Sequence, residues 1–214
     1  MATAKKRAYD ATKRLERADA ERDASRERVV AAATALFLER GYQATTVGDI
    51  AKRAGVALQT VYNAGGSKLE LLHRAVDVAV AGDTQDVMFT DRPEVAAIAD
   101  DPDPRQQVAR LATLIATTME RLAPIWQAYR EAAATDDSAR DYMVAAHRRR
   151  FETFGALIAG MDPQALRHSP EHSTDCMWSI GSIDVFLLFR DVQGWSFERY
   201  AEWLRTTLAD LLLR

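Results

Sequence analysis

The sequence predicts an all-α fold with two domains, a small three-helix head followed by a larger helical domain. Apolar residues recur at helical spacing along most of the 214-residue chain, and no useful length alternates with the period of two that is typical of strands. The charge also divides the chain, since residues 1–75 hold 14 Lys and Arg against 9 Asp and Glu, whereas residues 76–214 hold 14 against 22. A basic first third favours a polyanion as partner, because neutralised phosphates release counterions.

Composition narrows the class of protein. Apolar residues make up 48% and charged residues 28%, an ordinary globular balance. No apolar run approaches the roughly 20 residues that span a bilayer, and the basic N-terminus lacks the apolar core of a secretory signal. Cys176 is the only cysteine, so an intrachain disulfide cannot form. These features predict a cytoplasmic protein that has no membrane partner.

The first 25 residues alternate cations and anions with few large apolar side chains, which predicts a frayed helix or a disordered arm. An arm of this kind can enter the minor groove of DNA or lie along phosphates, and a solvated tail is the alternative. The candidate DNA contacts of the arm are Lys5, Lys6, Arg7, Lys13 and Arg14. From Arg26 an apolar stripe predicts the first helix of the head, and Gly41 is expected to end it.

Two capping signals and a glycine predict the remaining helices of the head. Thr46 and Asp49 form a variant capping box at the start of a second helix, and Gly55 suits the turn that follows it. A short third helix comes next, and Ser67 with Glu70 has the capping-box spacing at the start of a fourth. Short helices joined by a glycine turn are typical of a helix-turn-helix DNA-binding domain.

The predicted third helix carries side chains that suit the major groove, which is wide enough to admit an α-helix. Gln59 can pair both its donor and its acceptor with adenine N6 and N7, and Leu58 can contact a thymine methyl group. Thr46, Tyr62 and Lys68 are placed for phosphate contacts. Lys68 lies in the first turn of the fourth helix, where the helix dipole also favours an anion.

The larger domain is predicted to begin with a loop and to continue as long helices. Residues 82–104 are rich in Asp and Pro, which predicts a loop with a short helix beginning at Pro93. Ser169 and Pro170 are an N-cap and first-turn pair, and Ser196 caps the last helix. The long helical patterns cover residues 105–122, 124–134, 138–159, 170–190 and 197–213.

A set of residues in the head has the identity and spacing of a known family. The set consists of Phe37, Gly41, Tyr42, Thr45, Thr46, Ile50, Ala51, Ala54, Gly55, Val56, Tyr62 and Lys68. Together these residues strongly resemble the DNA-binding domain of the TetR family of bacterial transcriptional regulators, over residues 26–72. The resemblance implies base reading by Leu58, Gln59, Thr60 and Asn63, and phosphate contacts by Thr46, Tyr62 and Lys68. It also implies a homodimer in which a ligand of the C-terminal domain changes the separation of two DNA-reading heads.

The sequence departs from the family pattern at three places. Ala57 stands where a Ser or Thr commonly precedes the recognition helix, so we expect that helix to lack a side-chain cap. Gln59 stands where glycine is frequent in the family, which predicts that the protein prefers an unusual DNA sequence. Gly65 stands where the family usually has an aromatic residue, and the pair Gly65 and Gly66 is expected to loosen the link to the fourth helix.

The predicted domains are an arm over residues 1–25, a helix-turn-helix domain over 26–75, and a ligand-sensing and dimerisation domain over 76–214. The last two helices carry more apolar surface than one intrachain face needs, which favours a four-helix bundle made by two chains. The candidate interface residues are Ile180, Ile183, Phe186, Leu187, Trp203, Leu204 and Leu211. Wide, adaptable side chains suggest a pocket for an unknown small-molecule effector, with plain core as the alternative reading of most of them. The candidate pocket residues are Met119, Trp126, Tyr129, Arg130, Met143, His147, Phe151 and Trp178, with Arg130 or His147 as polar anchor.

A few residues of the larger domain have a spacing that is compatible with other functions. His172 and Cys176, with Asp175 near the same face, have a spacing that can bind a divalent ion or suggest a thiol nucleophile. No second ligand cluster, phosphate loop or nucleophile elbow accompanies them, so we expect no metal, no cofactor and no enzyme. The predicted function is a homodimeric repressor that a small molecule releases from a near-palindromic operator in double-stranded DNA. The alternative is a helical interaction protein that has lost sequence-specific DNA binding.

Overall fold

The computed structural model describes residues 2–83 and 92–214, and for residues 2–19 it describes the backbone alone. The regular secondary structure of this part of the chain is helical, as predicted, apart from an isolated bridge between Leu166 and Leu213. The chain divides into two compact units, Met1–Asp77 and Val78–Arg214. The helices are α1 Ala2–Arg40, α2 Val47–Ala54, α3 Leu58–Gly65, α4 Lys68–Ala81, α5 Pro93–Ala99, α6 Pro104–Ala133, α7 Asp137–Ala159, α8 Pro170–Ile180, α9 Ile183–Leu187 and α10 Phe197–Leu212, with a π-helical turn at Leu188–Val192.

The long helix α1 includes the stretch that was predicted as an arm. Its backbone is helical from Ala2 onward, and Gly41, with a φ of 77°, ends it as predicted. The side chains of the candidate arm residues lie outside the described residues. The C-terminal part of α1 belongs to the head, where it packs against α2 and α3.

Side chains from all four helices form the core of the first unit. The most deeply buried of them are Val29, Leu36 and Phe37 of α1, Ile50 of α2, Val61 of α3, and Leu71 and Leu72 of α4. Helices α2 and α3 have eight residues each, and helices of that length are marginal on their own in water. Burial of each large apolar side chain contributes about 1.5–3 kcal/mol, so tertiary packing holds these two helices in place.

Both predicted capping boxes in the head are confirmed. The Thr46 hydroxyl accepts a hydrogen bond from the Asp49 backbone N–H, and the Asp49 carboxylate accepts one from the Thr46 N–H. Ser67 and Glu70 exchange the same two bonds, at 3.2 and 2.6 Å between donor and acceptor. Gly55 ends α2 in the left-handed conformation, with a φ of 68°. Local sequence therefore sets where the helices on either side of α3 start and stop.

The two glycines after α3 form a closely packed joint, so the prediction that they loosen the link to α4 is wrong. Gly65 is buried, and a Cβ atom there would lie 2.2 Å from Leu71 Cδ2. Gly66 has a φ of 74° and a ψ of −138°, a conformation that is open to glycine and strained for other residues. A Cβ atom on Gly66 would meet the Glu70 carboxylate. The missing side chains let the start of α4 approach the end of α3.

In the second unit, α6 runs through Pro124 without interruption, so the predicted break between residues 122 and 124 is wrong. Proline removes the hydrogen bond to the carbonyl of Glu120, four residues earlier. Both residues lie on the exposed side of α6, where water can satisfy that carbonyl. Leu122 and Ile125 are buried on either side of the proline and hold both halves of the helix against the core.

The helix predicted over residues 170–190 is divided in the structure. Helix α8 starts at Pro170 with Ser169 as its N-cap, as predicted, but it ends one residue before Gly181. A Cβ atom on Gly181 would lie 3.2 Å from a side-chain carbon of α6, and Ser182 then caps α9. The prediction of one helix was wrong, because close packing against α6 and a new N-cap together turn the chain here.

The remaining predicted helix starts are confirmed. Helix α5 begins at Pro93, and Ser196 caps α10, its hydroxyl accepting a hydrogen bond from the Arg199 N–H. Helix α10 packs along α6 and α8, and α7 packs on α8. The side chains that α10 buries at four-residue intervals are Tyr200, Leu204, Leu208 and Leu212. None of the described helices has the length and hydropathy needed to cross a membrane.

Candidate functional site

Helix α3 presents the predicted base-reading residues to solvent. Its inner side packs against α1 and α2, while Leu58, Gln59 and Asn63 are exposed and Thr60 is partly buried. Leu58 and Tyr62 are each 49% exposed despite their large apolar surfaces. These side chains therefore contribute little to the packed core of the head. They remain available to a partner that fits a single helix face.

Gln59 and Asn63 form a hydrogen-bonded pair on the exposed face of α3. Nε2 of Gln59 donates to Oδ1 of Asn63 at 2.9 Å, one helical turn further along. This bond holds the Gln59 carboxamide in one orientation. A carboxamide has a second N–H and an acceptor oxygen beyond that bond, and these are the groups that a bidentate contact with adenine requires.

The start of α3 lacks a side-chain cap at Ala57, as predicted. Backbone hydrogen bonds begin the helix instead. The Ala57 carbonyl accepts from Thr60 N–H at 2.9 Å and from Val61 N–H at 3.3 Å. Helix α3 therefore starts on backbone hydrogen bonds alone, and it packs against α1 and α2.

Lys68, the first residue of α4, folds back over Tyr42. Its ammonium donates a hydrogen bond to the Tyr42 carbonyl at 3.0 Å and lies 4.1 Å from the centre of the Tyr42 ring. Partial burial lowers the pKa of Lys68 below its ordinary value. An ammonium has three N–H donors, and the Tyr42 carbonyl uses one of them, so two can still reach an anion.

Thr46 is exposed, but its hydroxyl is engaged in the cap of α2. The hydroxyl donates to the Asp49 carboxylate at 2.6 Å and accepts from the Asp49 N–H at 3.1 Å. These bonds hold the pKa of Asp49 below its ordinary value. A phosphate contact by Thr46, as the family resemblance implies, has to share this hydroxyl with the cap.

In the second unit, several of the predicted pocket residues come together as a row of rings. This aromatic cluster consists of Tyr142, Tyr129, Trp126, His147, Trp178 and Phe151. Trp126 stacks on Tyr129 with 5.8 Å between ring centres, and the edge of His147 meets Trp126 at 5.9 Å. Met119 is buried on α6 and Met143 is half-buried on α7. Tyr142 was missed by the sequence analysis.

Two cations of α7 lie at the aromatic cluster, Arg149 at 5.2 Å from the centre of the Tyr142 ring and Arg150 at the other end, and the prediction of Arg130 as an anchor is wrong. Arg130 is exposed, because it continues the outer stripe of α6 that contains Pro124 and Gln127. The Arg150 guanidinium lies 5.3 Å from the centre of the Trp178 ring. A sequence signal for Arg150 existed, since a residue three positions after His147 shares its helix face.

His147 is the second predicted anchor, and it lies within the cluster. Burial, and secondarily the charge of Arg150, lower the pKa of His147 below its ordinary value, while Asp184 opposes them. The backbone carbonyl of His147 accepts a hydrogen bond from Trp178 Nε1 at 3.3 Å. Since an unperturbed histidine titrates near pH 6.5, the lowered pKa favours a neutral His147 ring at pH 7.

The apolar surface of the last helices is formed partly by residues other than those predicted. Ile183, Phe186 and Leu204 are 2%, 2% and 0% exposed, so their assignment to a dimer interface is wrong. They pack inward because the break at Gly181 reorients α9, and because Leu204 lies on the inner stripe of α10. The predicted residues that keep some exposure are Ile180, Leu187, Trp203 and Leu211.

An apolar groove of about 420 Å³ lies on this surface. It is lined by Ile180, Val185, Leu188, Phe189, Val192, Gln193 and Trp203. Leu188 and Val192 are 58% and 71% exposed, high values for large aliphatic side chains. The sequence analysis missed both, although their four-residue spacing places them on one helix face.

His172, Asp175 and Cys176, whose spacing is compatible with a metal site, do not form a cluster of ligands with other side chains of the described residues. The rings of His168 and His172 are 4.6 Å apart at their centres, and Cys176 is a partly buried free thiol. Among the described residues, no group of three or more His, Cys, Asp and Glu side chains is arranged to hold a metal ion.

By sequence, the head is similar to known proteins. Residues 29–75 match the model of the family described as bacterial regulatory proteins, tetR family. The HTH-type transcriptional activator FasR of Mycolicibacterium smegmatis is 41% identical over 73 residues. That match covers 32% of this chain and 33% of FasR, so the chain spans about a third of the length of this relative.

Comparison with solved structures extends over both units. NalD, the secondary repressor of the MexAB-OprM multidrug efflux pump in Pseudomonas aeruginosa, is 19% identical with a TM-score of 0.62, covering 89% of this chain and 97% of NalD. SmeT, in a complex with triclosan, is 19% identical with a TM-score of 0.69, covering 89% of this chain and 92% of SmeT. At these identities the likeness concerns the fold. The head, over residues 29–75, therefore matches the tetR family of bacterial regulatory proteins by sequence, and the fold of the chain is similar to that of NalD and SmeT.

Proposed function

We propose that the protein is a ligand-responsive transcriptional repressor that binds a near-palindromic operator as a homodimer. The observation that carries this proposal is the exposed face of α3, where Leu58, Gln59, Thr60 and Asn63 stand on a helix that fits the major groove. The match of residues 29–75 to the family model supports DNA as the partner. The family is non-enzymatic, in agreement with the expectation that the chain is not an enzyme. A cytoplasmic location follows from the same proposal.

Base reading and phosphate binding are assigned to different residues of the head. Gln59, held by Asn63, pairs with adenine, and Leu58 contacts a thymine methyl group. Tyr62 and Lys68 bind phosphates. Thr46 joins them by turning its hydroxyl proton from the Asp49 carboxylate to a phosphate oxygen, while the hydroxyl still accepts the hydrogen bond from the Asp49 N–H. Phosphate contacts position the head, whereas base contacts specify the sequence.

Dimerisation is assigned to the exposed apolar surface that includes Leu188, Val192 and Trp203. Large aliphatic side chains with exposures of 58% and 71% are costly to leave in water, and a second copy of the chain covers them by two-fold symmetry. The dimer places two α3 helices at half-sites about one helical turn of DNA apart, or a multiple of it, about 34–36 Å per turn.

The aromatic cluster is assigned to the effector. Its rings and the two methionines provide an adaptable apolar wall, and SmeT, whose fold is similar, is described in complex with triclosan. The effector acts by binding more tightly to a dimer whose heads do not match the operator, because a ligand shifts an equilibrium only by its differential affinity.

Activation is the second candidate for the direction of regulation. FasR, which resembles the head at 41% identity, is named an activator, whereas NalD is named a repressor. A promoter carrying the selected operator and a reporter separates the two outcomes. Repression lowers reporter output when the protein is expressed, and activation raises it.

The experiment that tests DNA recognition is selection of random duplexes on the purified full-length protein at near-physiological salt. Enrichment of a near-palindrome supports sequence-specific binding by a two-fold symmetric dimer. Binding without enrichment of any sequence would mean that the head contacts only phosphates and does not read bases. Absence of binding, also when the selection is repeated at low salt, supports the alternative of an interaction protein that has lost DNA recognition.

Substitution of Gln59 and of Lys68 is expected to affect DNA binding in different ways. Gln59→Ala should relax the preference at one base pair of each half-site, at a cost of about 1–3 kcal/mol for the preferred base. Lys68→Ala should weaken binding to all duplexes alike and flatten the salt dependence of the binding constant. Both effects are measured by fluorescence anisotropy with the selected operator and single-base variants at several salt concentrations.

Gln127→Ala, which removes an exposed glutamine from α6, serves as the matched control and should leave binding unchanged. Thermal melting of each variant is needed as well, since Lys68 also contacts Tyr42 within the head. If Gln59→Ala and Lys68→Ala change affinity identically across all base variants, the division of roles between these residues is wrong.

A further inference from the structure

Arg150 of α7 binds the backbone at the break between α8 and α9. Its Nη1 donates a hydrogen bond to the Gly181 carbonyl at 2.8 Å, and its Nη2 donates one to the Trp178 carbonyl at 2.9 Å. Helix α8 ends at Ile180, and a helix provides no partners of its own for its last carbonyls. One guanidinium therefore holds the chain on both sides of the residue at which α8 stops.

Further contacts hold the guanidinium in this position. It lies 5.3 Å from the centre of the Trp178 ring and 5.7 Å from that of Phe154. The Trp178 indole N–H donates to the His147 carbonyl at 3.3 Å, so α7 and the end of α8 each donate to the other. Burial lowers the pKa of Arg150 to about 10, and the charge of Asp184 in α9 opposes that shift, so the group stays charged at pH 7. Hydrogen bonds from a charged donor are about twice as strong as neutral ones.

Gly181 and Ser182 determine where the chain turns. A Cβ atom on Gly181 would lie 2.9 Å from the Met177 carbonyl oxygen, so only a glycine fits here without a shift. The Ser182 hydroxyl accepts a hydrogen bond from the Val185 N–H at 3.3 Å and thereby starts α9. A glycine restricts its own backbone little, so the direction in which α9 leaves depends on packing and on the bonds that hold the turn. Arg150 supplies two of those bonds.

The apolar groove is built from residues on both sides of this break. Ile180 precedes Gly181, whereas Val185 and Leu188 follow it. The angle between α8 and α9 therefore sets how far Ile180 lies from the other two side chains, and with it the shape of the groove. Packing at the centre of a protein interface is as close as in a protein interior, so a change of shape here weakens association.

We propose that Arg150 is a positioning residue for dimerisation, whose two hydrogen bonds across the break keep Ile180 and Leu188 at the spacing that a second copy of the chain fits. This inference rests on the proposed function, since it concerns the apolar surface assigned to the dimer. Arg150 lies outside the set of described residues that line the groove. It acts on the interface through the backbone of α8 and the turn, without touching the partner.

The test is sedimentation equilibrium of the full-length protein, which measures the dissociation constant of the dimer. Arg150→Met keeps an unbranched side chain and removes its donors, and it should raise that constant about 10-fold or more, as expected for coupled residues. Arg150→Lys keeps the charge but lacks the planar fork that binds two carbonyls at once, so it should give an intermediate value. Arg148→Met, which removes an exposed arginine of the same helix, should dimerise like the wild type.

A double-mutant cycle separates positioning from a general loss of stability. Ile180→Ala should weaken the dimer of the otherwise wild-type protein, because Ile180 lines the groove. It should have little further effect when combined with Arg150→Met, since Ile180 is then already displaced. If Arg150 only stabilised each chain, the two effects on the dissociation constant would multiply.

The inference is overturned if Arg150→Met dimerises with the wild-type dissociation constant, or if the two effects multiply. Where Arg150→Met fails to fold, Arg150→Lys decides, and a wild-type dissociation constant for that variant overturns the inference. Each of these results, obtained with a dimeric wild type, leaves the proposed function intact. A monomeric wild type would instead overturn the proposed dimer, and the role of Arg150 with it.

Discussion

Replacement of Gly65 by alanine is expected to destabilise the DNA-binding head by about 1–3 kcal/mol, the usual cost of an extra carbon in a packed core. The new Cβ atom would lie 2.2 Å from Leu71 Cδ2 and 2.9 Å from Leu71 Cγ. Leu71 is fully buried, and Val29 closes the same space, so the leucine cannot move aside without displacing the core. Urea unfolding followed by circular dichroism measures the change in the free energy of unfolding.

Affinity for the operator should fall with that stability, because the same joint holds the end of α3. Gly48→Ala provides the matched control, since Gly48 is exposed in α2 and the nearest atom to its added Cβ lies 3.6 Å away. Alanine favours a helix over glycine by up to about 1 kcal/mol, so this control should be neutral or stabilising. A Gly65→Ala protein as stable as the wild type would mean that the joint is loose, as the sequence alone predicts.

Introduction of a charge at Leu188 is expected to convert a homodimer into monomers. Leu188→Glu places a carboxylate in the centre of the apolar surface that we assign to the second chain, and the desolvation penalty should weaken dimerisation by 2 kcal/mol or more, about 30-fold. The melting temperature of the monomer should change little, because Leu188 is 58% exposed within its own chain. Sedimentation equilibrium measures the dissociation constant directly.

Two other substitutions serve as comparisons for Leu188→Glu. Val144→Glu introduces the same charge at an aliphatic residue of α7 that is 53% exposed, and it should leave the dimer intact. Leu204→Ala should instead destabilise each chain by about 2–5 kcal/mol, because Leu204 is 0% exposed and belongs to the core. If Leu188→Glu remains a dimer at micromolar concentration, the interface lies elsewhere on the molecule.

Local sequence signals were sufficient to predict much of the head. The capping boxes at Thr46 and Ser67 and the left-handed turn at Gly55 depend on residues within four positions of each other, so one stretch of chain determines them. The exposed face of α3 follows from the same spacing, once Val61 is assigned to the core. Nothing distant in the sequence is needed to decide these features.

Features that involve two distant segments could not be predicted in this way. The helix continues through Pro124, because the residues next to it are buried and the carbonyl that it leaves unbonded is exposed to water. The helix ends before Gly181, because Gly181 packs closely against α6. The choice of Arg150 over Arg130 likewise depends on which side of a helix meets its neighbours. The spacing of residues along the chain predicts which of them share a helix face. It does not predict which other helix that face contacts.

By itself, the sequence determined that the chain is helical, where most helices start, which family the head resembles and which residues of α3 face away from the head. The tertiary structure decided which of the apolar residues after Pro170 are core and which remain exposed, and which arginine lies against the ring of Trp178. The physical reason is that capping and periodicity act within one or two helical turns, while burial depends on the approach of helices far apart in the sequence.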